Sequence, residues 1–447
     1  MFKKFLFLFF AISLSVQSQN SVKGKLAPDS DYKWVILYQL KGANQVYIAN
    51  TTLQEGSFEL EFPENAENGM YRLTYDLENS GFVNFLYNKE NVELNFDPTY
   101  PSGTLRFETS NENKIYNEYV IKSETSQQRL DSLQVVYFRL QNEEEQLKTA
   151  NSFKVEAKNR KGLQEMYEDL SKGKLANNFI KAERNFVADS IFESPQEYLN
   201  SIKNHYFDYI DFSDEALYNS TYFSEKIIDY VFYLNSSDDV EVQQQLFKRN
   251  VEDVIEKIGD NTYIKSEIST VLLHAFAQIE NVEVIEYLIE KHYLKQEEKY
   301  KDQKFIDEIK LKIKLAVGKA APDFSWEEEG TKVWLSKMDN AEKYVLVFWS
   351  TTCSHCLNEV PQLYEFTKDK EDVHVIAVAL ENDEFGFNYH TKNFVNWTNI
   401  LGLNKWQNKI ARDYEINSTP TYFVLDADKK IIAKPDYFTD VKDFLEN

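Results

Sequence analysis

The chain has 447 residues, which is more than one ordinary hydrophobic core accommodates, so we expect two to three domains. Its 73 acidic and 50 basic residues give a formal charge of -23. Such a charge disfavours contact with phosphate backbones and with anionic lipid, and we therefore expect no nucleic-acid partner.

The first residues have the three parts of a secretory signal peptide. Two lysines precede an apolar run from Phe5 to Val16, and small or polar residues follow. A run of about twelve apolar residues is too short to span a bilayer, and no later segment is long and uncharged enough to do so. We expect a signal peptide at residues 1–18, export to the periplasm or cell envelope, and no stable membrane insertion after cleavage.

Residues 20–108 alternate between apolar and polar positions in short runs rich in aromatic and β-branched residues. The runs are 34–38, 45–48, 57–62, 71–75, 92–96 and 105–107. A period of two with turn residues between the runs predicts antiparallel strands. We expect a small β-sandwich-like domain whose aromatic side chains fill the core.

Residues 109–315 change to a helical period and predict an α-helical domain. Two apolar stripes support this prediction, one at Leu133, Val136, Tyr137, Leu140 and Leu147, the other at Val251, Val254, Ile255 and Ile258. The region contains no motif of a catalytic type. It could serve as a spacer, a dimer surface or a platform for a partner, and the sequence does not distinguish these roles.

Residues 318–447 alternate between the two periods, which predicts an α/β domain and makes the whole chain a multidomain α+β protein. We expect strands at 345–348, 373–380, 421–425 and 431–433, and helices at 354–368, 404–414 and the end of the chain. Open α/β sheets place their sites at the carboxyl ends of strands. We therefore expect the functional site at the carboxyl end of strand 345–348.

The two cysteines of the chain, Cys353 and Cys356, follow this strand directly. A helix beginning there would hold Cys353 at its first turn, where backbone N–H groups and the helix dipole favour the thiolate. Cys356 lies one helical turn later, within reach for a disulfide. The pattern predicts a redox-active disulfide in which Cys353 is the attacking sulfur, with no other cofactor.

The cysteine pair has two other interpretations. A purely structural disulfide is plausible in an exported chain, but closing so short a loop removes little entropy from the unfolded state. A zinc site needs about four ligands, and His355 is the one histidine beside the cysteines. We therefore expect no metal.

Four features of the last 130 or so residues occur together in one known family: Gly318–Phe324, Phe348–Cys356, Pro361 and Ser418–Asp426. In this order and spacing they resemble the thioredoxin superfamily, and within it the exported TlpA/ResA-like thiol-disulfide oxidoreductases. The resemblance implies protein thiol or disulfide clients and a membrane electron donor. It also implies a role as a reductant, with cytochrome c biogenesis and cell redox homeostasis as the processes served.

The same resemblance implies roles for three further residues. Pro420 would be the cis-proline that faces the disulfide, and it would turn the Thr419 backbone toward the sulfurs to pair with an extended client. Glu359 matches the glutamate that ResA-like members place beside their site, where it would act as a general base for Cys356. An ordinary solvated glutamate is the alternative for Glu359.

The chain also departs from the family pattern. Val347 stands where thioredoxins carry a buried acid, so in this chain another group must carry out the proton transfer. Ser354 and His355 lie between the cysteines, where many relatives have a proline, and a charged His355 would stabilise the Cys353 thiolate and make the disulfide a better oxidant. Trp349 belongs to the same motif, and we expect it to modulate the site together with these two residues and the Thr419 backbone.

The sequence thus predicts an exported thiol-disulfide oxidoreductase that works as a reductant. Two alternatives stay open. One is a thiol peroxidase of the peroxiredoxin type, although Leu346 and Ser350 occupy the proline and threonine positions of that family's motif. The other is a binding or scaffold protein in which residues 20–315 do the work and the redox domain is auxiliary.

Overall fold

The computed structural model describes residues 19–28, 32–234, 236–328 and 330–446. The predicted signal peptide lies outside these ranges. The chain divides into two compact units, and the boundary falls between Val271 and Leu272. The limits predicted for the three domains remain predictions.

The first unit begins with strands that form two four-stranded sheets, ordered β4-β1-β7-β8 and β3-β2-β5-β6. The strands are β1 Ser21–Leu26, β2 Trp34–Lys41, β3 Asn44–Thr52, β4 Ser57–Glu61, β5 Gly69–Asp76, β6 Gly81–Tyr87, β7 Val92–Phe96 and β8 Arg106–Phe107. Alternate side chains of both sheets meet in one core, which includes Val22 and Leu94 from one sheet and Val35 and Tyr71 from the other. This arrangement is consistent with the predicted sandwich-like domain.

Two of these strands, β1 and β6, were not among the predicted runs. β1 contains no aromatic residue, and its strand conformation comes from its partners, since it pairs antiparallel with β4 and parallel with β7. A parallel pairing joins segments that are distant in the chain. Local sequence therefore does not reveal it.

Helices follow in the first unit. They are α1 Pro101–Thr104, α2 Asn111–Arg139, α3 Glu143–Leu170, α4 Ala176–Ala182, α5 Pro195–Asn204, α6 Glu215–Tyr218, α7 Tyr222–Ile228, α8 Val240–Ile258 and α9 Thr262–Gln278, which crosses the boundary. A π-helical turn, Asp229–Tyr233, continues α7.

The first predicted apolar stripe is wrong as a single helical face. α2 ends at Arg139, Leu140 is extended, and the Asn142 side chain accepts a hydrogen bond from Glu145 N to begin α3. Leu147 consequently lies on the other helix, with 64% of its surface exposed. The second stripe, on α8, is buried at three of its four positions.

The second unit is a mixed α/β structure. Its further helices are α10 Val282–Lys291, α11 Gln303–Lys312, α12 Ser354–Thr367, α13 Phe385–His390, α14 Lys409–Asp413 and α15 Phe438–Glu446. Its strands are β9 Ser325–Glu328, β10 Thr331–Trp334, β11 Lys343–Trp349, β12 Val373–Glu381, β13 Thr398–Leu403, β14 Thr421–Asp426 and β15 Ile431–Ala433. β9 and β10 form a hairpin, and the other five make one sheet in the order β13-β12-β11-β14-β15.

The central strand β11 positions the site. It runs parallel to β12 and antiparallel to β14, and its side chains from Tyr344 to Trp349 are buried because the sheet is covered on both faces. One face packs against α12 through Cys356, Val360 and Leu363. The carboxyl end of β11 therefore leads directly into the first turn of α12.

Two features of this unit differ from the prediction. The expected helix 404–414 is a 3-10 turn at Lys405–Gln407 followed by α14, because Asn404 is left-handed with φ +69° and Asn408 caps α14 through Ile410 N. The strands β9, β10 and β13 and the helix α13 were not predicted. Over the described ranges of the chain, no helix combines the length and apolar character that a membrane crossing requires.

Candidate active site

Cys353 lies at the junction between β11 and α12. The strand ends at Trp349, residues 350–352 turn the chain, and Cys353 is the N-cap residue of the helix. Its Sγ accepts a hydrogen bond from the backbone N–H of Cys356, 3.2 Å away. The sulfur thus occupies the place of a capping oxygen, where helix N–H groups and the helix dipole stabilise a negative charge.

The two sulfurs differ in accessibility. Both cysteines are free thiols, so the structure describes the dithiol state. Cys353 is partly exposed, whereas Cys356 is 0% exposed and belongs to the core between α12 and the sheet. A partner molecule can therefore reach Cys353 but not Cys356.

The two sulfurs also differ in acidity. Partial burial acts to raise the pKa of Cys353, but hydrogen bonds, first those with the side chain and backbone of Cys356 and then those with Thr419 and His355, together hold this pKa below that of an ordinary thiol. Burial, and then the hydrogen bond with Cys353, raise the pKa of Cys356 to about 12. Near neutral pH the accessible sulfur is thus the better nucleophile, and the buried one keeps its proton.

The peptide bond between Thr419 and Pro420 lies beside the accessible sulfur. This peptide bond is cis, and the thiol of Cys353 donates a hydrogen bond to the Thr419 carbonyl oxygen at 3.2 Å. β14 begins at the next residue and pairs antiparallel with β11. The structure therefore brings the Thr419 carbonyl, 66 positions along the chain, to the sulfur.

Glu359 follows Cys356 by three residues on α12 and is half-buried. Its Oε2 accepts a hydrogen bond from the Tyr422 hydroxyl at 3.1 Å and another from the backbone N–H of Phe438 at 2.9 Å. These donors come from β14 and from the start of α15. The carboxylate is held between three elements and does not extend freely into solvent.

The remaining predicted residues occupy different environments. Trp349 is 1% exposed and packs edge-on against Phe394. Within the described residues, its indole Nε1 has no hydrogen-bond partner. Ser354 and His355 are exposed, and His355 influences Cys353 through its backbone N–H, which lowers the pKa of that thiol.

Sequence reasoning missed Tyr422. It is 1% exposed and lies on β14 opposite Val347 of β11, which is the position where thioredoxins carry a buried acid. Burial raises its pKa, and the negative charge of Glu359 raises it further. β14 is an apolar run that is buried from Tyr422 to Leu425, so the sequence predicts a buried side chain at this position, but the Glu359 partner depends on how α12 packs.

Glu381 was also missed. It is the last residue of β12 and is 4% exposed, and its Oε1 accepts a hydrogen bond from the backbone N–H of Thr351 at 2.5 Å. Thr351 is two residues before Cys353. An acid at the carboxyl end of a parallel strand beside β11 was a usable signal, because such ends line the sites of α/β sheets.

Cys353, Cys356 and His355 are the potential metal ligands that lie close together in the sequence. Across the part of the chain that the structure describes, no group of three or more histidine, cysteine, aspartate or glutamate side chains is arranged to hold a metal ion. The chemistry that this arrangement supports directly is thiol–disulfide exchange, which needs an accessible thiolate and a second sulfur within reach.

Comparison with known proteins bears on the same segment. A family described as Redoxin matches residues 316–437. The thiol-disulfide oxidoreductase ResA of Bacillus thuringiensis (strain Al Hakam) is 33% identical over 127 residues, which are 28% of this chain and 71% of that protein. A thioredoxin-like protein of Haemophilus influenzae is 27% identical over 101 residues, or 23% of this chain and 59% of that protein.

Among solved structures, a domain of a possible thiol-disulfide isomerase from Cytophaga hutchinsonii is 30% identical, with a TM-score of 0.26. It covers 30% of this chain and 92% of that domain. The ResA match spans more than two thirds of its relative, and the residues that match the Redoxin family include both cysteines. The chain therefore belongs to the thioredoxin superfamily, in which it is a TlpA/ResA-like thiol-disulfide oxidoreductase.

Proposed function

We propose that the chain is an exported reductant that exchanges disulfides with protein clients through Cys353 and Cys356. One observation carries the proposal. The accessible sulfur has a lowered pKa and the sulfur one turn later is buried with a raised pKa, so the two have different roles in one exchange.

In the first step, the thiolate of Cys353 attacks one sulfur of a client disulfide. A bond forms between Cys353 and that sulfur, the client disulfide breaks, and the second client sulfur leaves as a thiolate. The stabilising hydrogen bond from the Cys356 N–H supports this step, because it keeps part of the Cys353 population ionised.

In the second step, Cys356 attacks Cys353 and releases the client. The Cys356 thiol first loses its proton, which Glu359 accepts as general base. The Cys353–Cys356 disulfide forms, the bond to the client breaks, and the client sulfur leaves as a thiolate that takes up a proton. Two electrons have then passed from the enzyme dithiol to the client.

We propose that clients bind as extended segments beside Thr419. The carbonyl of this residue faces Cys353, and the chain around Pro420 leads into β14. An extended client could pair with backbone groups there as an added strand, which would place its disulfide against the exposed sulfur. Trp349, Ser354 and His355 then modulate the site around that sulfur.

A membrane electron donor would return the disulfide to the dithiol, as the resemblance implies. The sulfur couple itself carries the electrons, so the proposal needs no metal or organic cofactor. A charged His355 would favour the Cys353 thiolate and make the disulfide more oxidising. One pKa unit is worth about 30 mV in such a couple, which is too little to turn a strong reductant into a strong oxidant.

The proposal includes export, with residues 1–18 as a cleaved signal and the mature chain in the periplasm or cell envelope. The proposed domains of the chain are a β-rich domain at 20–108, a helical domain at 109–315 and the redox domain at 318–447. The net charge of -23 supports the absence of a nucleic-acid partner and disfavours docking on anionic lipid, and we propose no stable membrane insertion after cleavage. Mass spectrometry of the protein recovered from the cell envelope tests export, since an intact residue 1 would contradict cleavage.

The decisive measurement is the midpoint potential of the purified protein in thiol redox buffers, together with reduction of a model disulfide protein such as insulin. We expect a potential near that of thioredoxin, about -270 mV, and activity that Cys353→Ser abolishes. Cys356→Ser should instead accumulate the mixed disulfide. A potential near -120 mV would contradict the reductant role, and activity that survives Cys353→Ser would contradict the exchange itself.

A further inference from the structure

The Tyr422 hydroxyl is the only side-chain donor to Glu359 among the described residues. Both hydrogen bonds to this carboxylate end on Oε2, at 3.1 Å from the Tyr422 oxygen and 2.9 Å from Phe438 N. Two donors on one oxygen fix the rotation of the carboxylate and leave Oε1 to meet another group. Cys356 lies one helical turn before Glu359 on the same face of α12.

From this geometry we propose that Tyr422 is a positioning residue, which holds Glu359 where its carboxylate takes the proton from Cys356 as that thiol resolves the mixed disulfide. The inference rests on the proposed function, in which Glu359 is the base, and adds the residue on which that base depends. Tyr422 does not itself touch the client.

The surroundings of Tyr422 leave few other groups for its hydroxyl. β11 contributes the apolar side chains Val345 and Val347 on this face, and α15 contributes Val441 and the backbone N–H of Phe438. The titratable groups that act on the hydroxyl are Glu359 and Cys356 of α12 and Cys353, the N-cap residue of that helix. The tyrosine therefore connects the base to the same buried core that holds the resolving sulfur.

Burial of the Tyr422 hydroxyl also favours a persistent hydrogen bond to Glu359. A buried hydroxyl without a partner costs free energy, so Tyr422 keeps its hydrogen bond to the carboxylate throughout the cycle. The proton travels from the Cys356 sulfur to Glu359, and it leaves from there to solvent because Glu359 is half-exposed. Tyr422 keeps its own proton, and no electron passes through it.

The two cysteines allow the two steps to be observed separately in the intact protein. When the dithiol reacts with Ellman's reagent in a stopped-flow instrument, attack by Cys353 releases one thionitrobenzoate, and resolution by Cys356 releases a second. The chain has no other cysteine to add a signal. The first phase therefore tests the nucleophile of the proposed function, and the second phase tests the proton transfer.

We expect Tyr422→Phe to leave the rate of the first phase unchanged and to slow the second by about tenfold near pH 7, against about 100-fold for Glu359→Gln. Hydroxide can remove the Cys356 proton at high pH, so both variants should approach the wild-type rate as the pH nears 11. A merely structural defect would lower the rate by the same factor at every pH. The double variant should be no slower than Glu359→Gln alone, because Tyr422 acts through that residue.

Tyr414→Phe is the matched control. Tyr414 is equally buried, and its hydroxyl donates to the Pro322 carbonyl at 2.8 Å in the core on the other face of the sheet. This variant should change neither phase. Tyr422→His keeps a donor on a ring and should recover part of the second-phase rate.

Each outcome decides a different claim. A first phase no faster than that of a free thiol would contradict the proposed function. A normal first phase with a second phase that Glu359→Gln slows and Tyr422→Phe does not would overturn the role of Tyr422 alone. If Tyr422→Phe fails to fold and loses both phases, Tyr422→His decides, and a second phase that this variant slows by the same factor at every pH would overturn the inference.

Discussion

The backbone N–H of Cys356 donates a hydrogen bond to the sulfur of Cys353, 3.2 Å away. The residue that we propose resolves the mixed disulfide thus already stabilises a negative charge on the residue that we propose forms it. Its own sulfur is turned into the core, where burial raises its pKa to about 12. One turn of helix therefore yields one reactive and one protected thiol from identical side chains.

Replacing Cys356 should change the acidity of Cys353. The Cys356 side chain provides the strongest hydrogen-bond contribution that lowers the Cys353 pKa. We expect iodoacetamide labelling of Cys353 to shift to higher pH in Cys356→Ala and to shift less in Cys356→Ser, because a serine hydroxyl still donates. Mass spectrometry across pH 5 to 10 measures the shift. If both variants gave the same labelling profile as the wild type, the Cys356 side chain would have no such effect.

The midpoint potential should depend on pH with one break below pH 9. Where both thiols are protonated, reduction takes up two protons and the potential falls by about 60 mV per pH unit. Above the lowered pKa of Cys353 only the Cys356 proton is taken up, and the slope falls to about 30 mV until about pH 12. Equilibration with a dithiol buffer at each pH measures the slope, and a break at the pKa of an ordinary thiol would contradict the lowered value.

Glu381 should stabilise the turn that carries Cys353. Glu381→Leu leaves the Thr351 N–H without its acceptor, which we expect to cost about 1–3 kcal/mol of unfolding free energy and to slow alkylation of Cys353. Glu381→Gln keeps a carbonyl oxygen and serves as the control. Urea unfolding followed by tryptophan fluorescence measures the loss, since five of the six tryptophans lie after residue 318. Equal losses in the two variants would assign the effect to the charge.

Replacement of two glycines in the helical region by alanine should change the stability of the protein in opposite directions. Gly162 lies inside α3 with no atom within 4 Å of an added Cβ, so Gly162→Ala should stabilise the protein by about 0.5–1 kcal/mol. Gly173 has φ +76°, a left-handed conformation that penalises a side chain, and Gly173→Ala should destabilise it by about 1 kcal/mol. Thermal unfolding of both variants checks the signs, and two shifts in the same direction would be inconsistent with these backbone conformations.

Prediction from the sequence succeeded where the signal was local. The apolar run 345–348 forms a strand that ends four residues before Cys353, and the helix predicted at 354–368 runs from Ser354 to Thr367. It failed where two helices share one apolar period. The stripe around Leu140 breaks because Asn142 caps a new helix, a choice that depends on how α2 and α3 pack.

Prediction from local sequence also failed for the contacts around the sulfurs. The family resemblance pointed to Glu359, but its two donors come from Tyr422 and Phe438, 63 and 79 positions away in the chain. Glu381 reaches Thr351 across 30 positions because β11 and β12 are neighbours in the sheet. Neither pairing has a signature in the local order of residues, since strand order and helix packing are properties of the whole core.

The sequence by itself determined the pair of cysteines, the strand that precedes them and the helix that begins between them, because spacing and periodicity act over a few residues. Only the tertiary structure decided which sulfur is exposed, which carbonyl faces it and which hydroxyl holds the glutamate. Burial and hydrogen bonding between distant segments set those features, and the difference in pKa between Cys353 and Cys356 follows from them.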